Sequence, residues 1–257
     1  MSEESNTNDD IRSLSNGSNL QSYSRRELYL TWAAAWLFLI ILNLYPIRTS
    51  ATRFGLISSL LVVWFGAIVL SWKRKWLRFP FITVTVLLAL FVVLPGRPIE
   101  PSYLREEYIR KLQTYEGTRY IWGGESHRGI DCSGLIRCGL TDACFQQGLS
   151  SLNPGLIRRS FSLWWNDASA RELKDGYRQE TNVIGESKGI NDADYSPLRP
   201  GDFAVTNDGV HTLAYIGSHV WIEADPGEGR VIKVTVPSTN PWFKRPVKLV
   251  RWSMLEP

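Results

Sequence analysis

Three long apolar runs stand within the first 96 residues, and they limit what this chain can become more than any other feature. Leu28 to Tyr45 and Phe54 to Trp72 contain no charged residue and are about 18 or 19 residues long. That is close to the ~20 residues a helix needs to cross a bilayer. The third run, Phe79 to Leu94, is shorter and includes Pro80. It reaches spanning length if Trp76 and Leu77 join it and Arg78 extends its charge to the interface. Such runs would also suit a buried core, and the Ile-Thr-Val-Thr-Val stretch from Ile82 would suit a buried strand. Tyr29, Trp32, Tyr45, Trp72 and Trp76 lie near the run ends, where aromatic belts meet a membrane surface. The reading adopted is three transmembrane helices over residues 27–96, with the lipid bilayer as an obligatory partner.

The charge supports this division. The 257 residues carry a formal net charge of +4. Up to residue 96 there are nine Lys/Arg and five Asp/Glu, whereas from Arg97 onward there are twenty of each. Arg25 and Arg26 precede the first run, and Lys73, Arg74, Lys75 and Arg78 crowd the connection between the second and third. The connection between the first and second has only Arg48 and Arg53. Basic residues accumulate on the cytoplasmic side, so the tail and the second connection are expected inside and everything after Gly96 outside. The basic cluster would otherwise simply bind lipid headgroups. Residues 1–26 are polar, lack apolar periodicity and read as a disordered cytoplasmic tail unlike a secretory signal. The expected location is the cell membrane, multi-pass, with the C-terminal domain extracytoplasmic. Nothing in the composition suggests a collagen-like chain or a nucleic-acid partner.

Residues 97–257 are enough for one compact domain. Ser102 is a candidate cap for a helix running to Gln113, with Leu104, Tyr108 and Leu112 on one face and Gly117 after its end. A Gly-rich loop then leads through Asp131 to Cys132 and a periodic run with Leu135, Ile136 and Leu140 on one face. This puts the Cys132 sulfur in the first turn of a helix, an environment that favours thiolates and supplies free N–H donors to an oxyanion. Three cysteines make an odd count with no disulfide framework. Cys138 and Cys144, further along the same helix, read as structural.

A nucleophilic thiol needs a base. Of the three histidines, His127 reads as a surface residue in the Gly-rich loop. His211 opens an alternating strand with Leu213 and Tyr215, and His219 opens a second with Trp221 and Glu223. The two strands should form a hairpin. A three-residue loop, Ile216-Gly217-Ser218, would put His211 directly across from Glu223, whereas a Gly217-Ser218 loop would send Glu223 to the opposite face. The catalytic reading therefore predicts the longer loop, with Glu223 orienting the imidazole and Asp225 in reserve.

The ordered set Tyr120-x-Trp-Gly-Gly, Asp131-Cys-Ser-Gly, Leu198-Arg-Pro-Gly-Asp and His211 followed by Tyr215-Ile-Gly resembles the NlpC/p60 family of cysteine peptidases over about residues 117–226. The resemblance implies an α+β, papain-like fold in which a central antiparallel sheet packs on the cysteine-bearing helix. It implies hydrolysis of amide bonds in bacterial peptidoglycan peptides. It makes Cys132 the nucleophile and His211 the base, with Tyr120, Ser133 and Asp131 as candidates for contacting substrate or the oxyanion. Where the family commonly has a third polar His, the string here is Trp221-Ile-Glu-Ala, with Glu223 in that place. The segment from Gly148 to Pro197 is longer than expected. It carries Trp164-Trp165 and a candidate helix near Ala168 to Tyr177, and it either lines the cleft or is a packing excursion with two buried Trp. Pro200-Gly201-Asp202 reads as a structural turn. Alternatives to a cell-wall hydrolase are a papain-like acyltransferase or amidase acting on a lipid or other amide, and a degenerate wall-binding module. No metal cluster is visible, thiol chemistry requires no cofactor, and the sequence sets no oligomeric state.

Overall fold

The structure is a computed structural model that describes residues 26–256. The expected tail over residues 1–26 therefore lies, Arg26 apart, outside the described residues. The chain divides into two compact units. The first ends its opening stretch at Leu44 and continues over Ala51–Val86. The second comprises Tyr45–Ser50 and Leu87–Pro257.

Among the described residues three helices have the length and apolarity to cross a membrane: α1 (Arg26–Leu44), α2 (Ser50–Leu70) and α3 (Lys75–Val93). Helix α3 begins early enough to include Trp76, Leu77 and Arg78, as the short third run required, and it accommodates Pro80. Within the first unit the helices meet through aromatic side chains with polar edges. The Trp32 indole donates to the Val63 carbonyl at 2.9 Å, and the Trp64 indole donates to Thr85 Oγ1 at 2.9 Å. A Cβ on Gly66 would lie 2.5 Å from Trp32, so the small residue lets the indole lie against the helix backbone.

In the second unit, α4 (Pro101–Thr114) buries Leu104, Tyr108 and Leu112 as the spacing predicts. Its start differs from expectation. Pro101 occupies the first turn, Glu100 is the N-cap residue, and Ser102 lies inside the helix. A proline there needs no N–H partner and has its φ already set. Next come a two-stranded ribbon, β1 (Glu125–Ser126) with β2 (Gly129–Ile130), and the long α5 (Cys132–Ser150).

The segment 148–197 folds as α6 (Pro154–Trp165), the short α7 (Ala170–Lys174) and an edge strand β3 (Thr181–Ser187). Helix α7 is the kernel of the helix expected near Ala168 to Tyr177, and a capping box between Ser169 and Glu172 starts it. The chain then alternates between β4 (Phe203–Thr206), β5 (Thr212–Gly217), β6 (Val220–Asp225), β7 (Arg230–Thr235) and β8 (Val247–Trp252). Their order in the six-stranded sheet is β3-β8-β4-β5-β6-β7, and all the neighbours pair antiparallel.

Side-chain alternation assigns the two faces of this sheet. Phe203, Val205, Ala214, Ile222 and Trp252 join the core formed with α4 and α5. Ala204, Leu213, Tyr215, Trp221 and Leu249 join a second cluster with Phe243 and Ile190. Both faces are covered, which is why β4 is buried at every position.

The turn predicted at Pro200-Gly201-Asp202 is present. Gly201 has a φ of 97°, and buried Asp202 holds Arg251 with 2.7 and 2.6 Å contacts.

Candidate active site

The start of α5 shows why its opening residues are the types they are. Asp131 is the N-cap: Oδ1 accepts from Gly134 N at 2.6 Å and from Ser133 Oγ at 3.1 Å, while Oδ2 accepts from Gly123 N at 2.8 Å. One carboxylate therefore fastens the Gly-rich loop to the first helical turn. Burial raises the Asp131 pKa, and the Gly134, Gly123 and Ser133 hydrogen bonds oppose the shift. The glycines permit backbones to touch. A Cβ on Gly134 would lie 2.5 Å from the Gly124 carbonyl oxygen, and one on Gly124 would lie 2.5 Å from that of Gly129.

Cys132 follows immediately, 5% exposed, with its thiol donating to the Val210 carbonyl at 3.7 Å. Cys138 and Cys144 are buried in the body of α5. Burial raises both thiols, Cys144 to about 12, as suits packing residues.

His211 is 1% exposed and lies just before β5, beside Cys132. Its Nε2 lies 2.6 Å from Glu223 Oε2. With Nε2 engaged there, Nδ1 is the nitrogen left for the thiol. Burial by itself would lower the imidazole pKa, but hydrogen bonds to Cys132 and Glu223 outweigh it and raise the value to about 9. Burial raises Glu223 as well, with His211 opposing.

The hairpin achieves this pairing by a route the sequence reasoning did not foresee. The loop is Ser218-His219, both residues at positive φ, and not Ile216-Gly217-Ser218. A two-residue loop with both residues left-handed matches strand twist. A bulge between Tyr215 and Gly217 then restores the face that the shorter loop would have reversed. Ala214 pairs with Ile222, so Leu213 stands across from Glu223, and His211 reaches the carboxylate diagonally.

Two further residues complete the surroundings. Asn240 Nδ2 donates to Glu223 Oε1 at 2.9 Å and to Asp225 Oδ2 at 2.8 Å, while its Oδ1 caps the turn Pro241–Lys244. In that turn the Trp242 ring stacks on His211, with centroids 4.1 Å apart. Asp225 is thereby tied to Glu223 through Asn240. The Asn-Pro pair is a readable capping signal, but its position beside His211 depends on a contact between segments about thirty residues apart.

A cleft of about 420 Å³ opens at Cys132, lined by Trp122, Asp131, Ser133, Ser169 and Val210 among others. Buried Arg137, held by Glu125 and Asp167, forms part of its wall. Asp167, Ala168, Ser169, Ala170 and Glu172 also line it, so the 148–197 segment contributes to the cleft. Trp165 is 41% exposed, so this segment does not bury both tryptophans. Tyr120 packs half-buried against the core, and its hydroxyl pKa is raised first by burial and then by Cys132, Asp131 and Asp225. His127 stacks on Tyr115 and His219 packs at a tilt against Tyr195, and neither lines the cleft at Cys132. Among the described residues no His, Cys, Asp and Glu cluster is arranged to hold a metal.

The family model described as NlpC/P60 matches residues 117–251, more than half of the chain. The chain belongs to the NlpC/P60 family. The expected α+β fold is thus present, with the cysteine-bearing helix packed on an antiparallel sheet. NlpC1 of Trichomonas vaginalis is 18% identical, over 62% of this chain and 48% of its own, with a TM-score of 0.39. An NlpC/P60 family protein of Bacillus cereus is 18% identical, over 62% and 41% of the two chains, with a TM-score of 0.38. The peptidoglycan hydrolase RipB of Mycobacterium tuberculosis is 19% identical, over 63% and 76%, with a TM-score of 0.37. This chain therefore spans less than half the length of the first two. No curated protein matches it.

One part of this NlpC/P60 domain comes from outside the matched region. Ile47 forms an antiparallel bridge to Gly124, Arg48 N donates to the Gly123 carbonyl at 3.1 Å, and Glu125 N donates to the Pro46 carbonyl at 3.1 Å. The short connection between α1 and α2 thus pairs with the loop that Asp131 holds. No local signal announces such a pairing, because it depends on segments some 75 residues apart.

Proposed function

We propose that this protein is a membrane-anchored thiol hydrolase that cleaves amide bonds in peptidoglycan peptides outside the cytoplasmic membrane. The observation that carries the chemistry is the 2.6 Å contact between His211 Nε2 and Glu223 Oε2, beside a thiol at a helix start and on an open cleft. The substrate class is the one family membership implies.

In this reading the Cys132 thiol passes its proton to His211 Nδ1, and the thiolate sulfur attacks the amide carbonyl carbon. The carbonyl oxygen takes the negative charge. The first-turn amide of Cys132 and the Tyr120 hydroxyl, which its raised pKa keeps protonated, are the donors to that oxygen. Imidazolium then returns the proton to the leaving nitrogen, the C–N bond breaks, and a thioester remains. His211 next removes a proton from water, whose oxygen attacks the thioester and releases the acid and the thiol.

Glu223 orients the ring and stabilises its charged form, and Trp242 presents its face to the same charge. Asp131 and Ser133 act on substrate through position, because their polar atoms hold the loop and the helix start together.

The placement outside follows from the basic residues, and parity supports the number of spans. The Tyr45–Ser50 connection pairs with the catalytic domain, so both must lie on one side. With only α1 and α2 crossing, they would lie on opposite sides, which supports the reading in which α3 crosses as well.

The test is incubation of the purified full chain with peptidoglycan. New amine ends should appear, and Cys132→Ser should lower their rate by at least about 10³-fold. Undiminished release by Cys132→Ser would refute the thiol mechanism. Intact wall peptides with consumption of a lipid ester or amide would favour the acyltransferase alternative.

A further inference from the structure

Helix α6 has two apolar faces where a helix on a water-facing surface needs only one. Leu156, Ser160 and Leu163 are buried on the side packed against α5. A second group, at four- and three-residue spacing, is turned outward: Phe161 and Trp165 with half-buried Trp164 beside them, whereas Ile157 packs on Gly148 of α5. Phe161 is 52% exposed and Trp165 41% exposed. The Phe161, Trp164 and Trp165 rings lie 5.8 to 6.2 Å from one another and form a continuous aromatic surface.

Each end of α6 lies beside an end of an apolar helix. At its C-terminal end, Trp165 and Asn166 line a cavity of about 590 Å³ together with Ser50, the first residue of α2. Toward its N-terminal end, the Arg158 guanidinium donates to the carbonyls of Val92 and Leu94, where α3 finishes. Asn153 holds the Arg97 main chain from both sides, accepting from its N–H at 3.1 Å and donating to its carbonyl at 2.9 Å. A Cβ on Gly96 would lie 2.9 Å from Gly155 Cα, so the linker lies directly on the helix. All of these residues belong to the second unit. Helix α6, about 18 Å long, therefore runs between the residues that end α3 and the residue that begins α2.

We propose that α6 lies flat in the membrane interface, with Phe161 and Trp165 set among the headgroups and upper acyl chains of a phospholipid leaflet. This rests on the three-span reading above. Tryptophan and phenylalanine on an amphipathic stripe are the side chains that favour this layer. The contact gives the catalytic domain a hold on the bilayer besides the spans. It also sets the attitude of the cleft, because Ala168 and Ser169, three and four residues beyond α6, line it with Cys132.

Photocrosslinking of the full chain in phosphatidylcholine–phosphatidylglycerol vesicles tests this without reference to activity. Benzoylphenylalanine replaces Phe161 or Trp165, with Leu87 in α3 as a membrane control and exposed Val183 on β3 as a water control. The expected result is phospholipid adducts at positions 161 and 165 at roughly tenfold the level of position 183 and comparable to position 87. Labelling at 87 with 161 and 165 no higher than 183 overturns the interfacial helix and leaves the spans standing. A covalent dimer in place of lipid adducts also overturns it, and assigns the stripe to a second copy of the chain. Absence of lipid at all four positions overturns the three-span reading and the inference together.

Discussion

His211 is more basic than an ordinary histidine because Cys132 and Glu223 each stabilise its charged form, and together they outweigh burial. A base raised from 6.5 to about 9 keeps imidazolium available across neutral pH, so kcat/KM should hold through neutrality and fall as pH rises through about 9. The sign for stability is the same. The raised value adds stability that is complete below 6.5 and disappears as pH climbs through about 9. Glu223→Gln removes one of the two raising partners, so the alkaline limb should move to lower pH and the rate should fall by about 10²-fold. A pH–rate profile reads both, and a limb unmoved with less than about threefold loss would return Glu223 to a structural role. At this scale the sequence was informative. Cys132, His211 and Glu223 were all legible because a capped cysteine, an alternating strand and a same-face carboxylate each leave local patterns. Asn240 and Trp242 were not, since nothing near them in sequence indicates that they lie on the histidine and its carboxylate.

At the scale of elements, the start of α5 is a joint between loop and helix. Gly134 is required there because any Cβ would meet the Gly124 carbonyl oxygen at 2.5 Å and Asp131 Oδ1 at 2.9 Å. Gly134→Ala should cost about 1–3 kcal/mol, measured as a lower denaturation midpoint of the solubilised protein, and should reduce activity by displacing Cys132. Asn153 serves a second joint, capping α6 through Gly155 N at 3.0 Å while clamping Arg97. Asn153→Ala should cost about 1 kcal/mol on the same measurement. Periodicity located α4 and α5 well, but their edges less so. Pro101 starts α4 where a serine cap was expected, and the β5–β6 turn uses two left-handed residues and a bulge where a three-residue loop was expected. Strand faces are decided by alternation, whereas turn length depends on how twist and packing are satisfied together.

At the scale of the whole molecule, labelling measures sidedness. Lys188→Cys, exposed on the NlpC/P60 domain, should react with a membrane-impermeant maleimide in intact cells. Lys73→Cys, between α2 and α3, should react only after permeabilisation. Both variants are made in a Cys132→Ser background, because Cys132 opens on the cleft, whereas Cys138 and Cys144 are buried in α5 and give little background. The reverse pattern would invert the topology. The sequence by itself determined the division into an apolar, basic-flanked N-terminal third and a charge-balanced domain, together with its family and the candidates for nucleophile and base. These rest on composition, period and motif, which are properties of contiguous residues. Only the tertiary structure decided that the Tyr45–Ser50 connection belongs with the NlpC/P60 domain, that Asn240 and Trp242 enclose the His211–Glu223 pair, and that α6 carries an aromatic face between two helix ends. Each of these depends on segments far apart in the chain meeting in space, and no local pattern of side chains encodes which distant backbone will meet them.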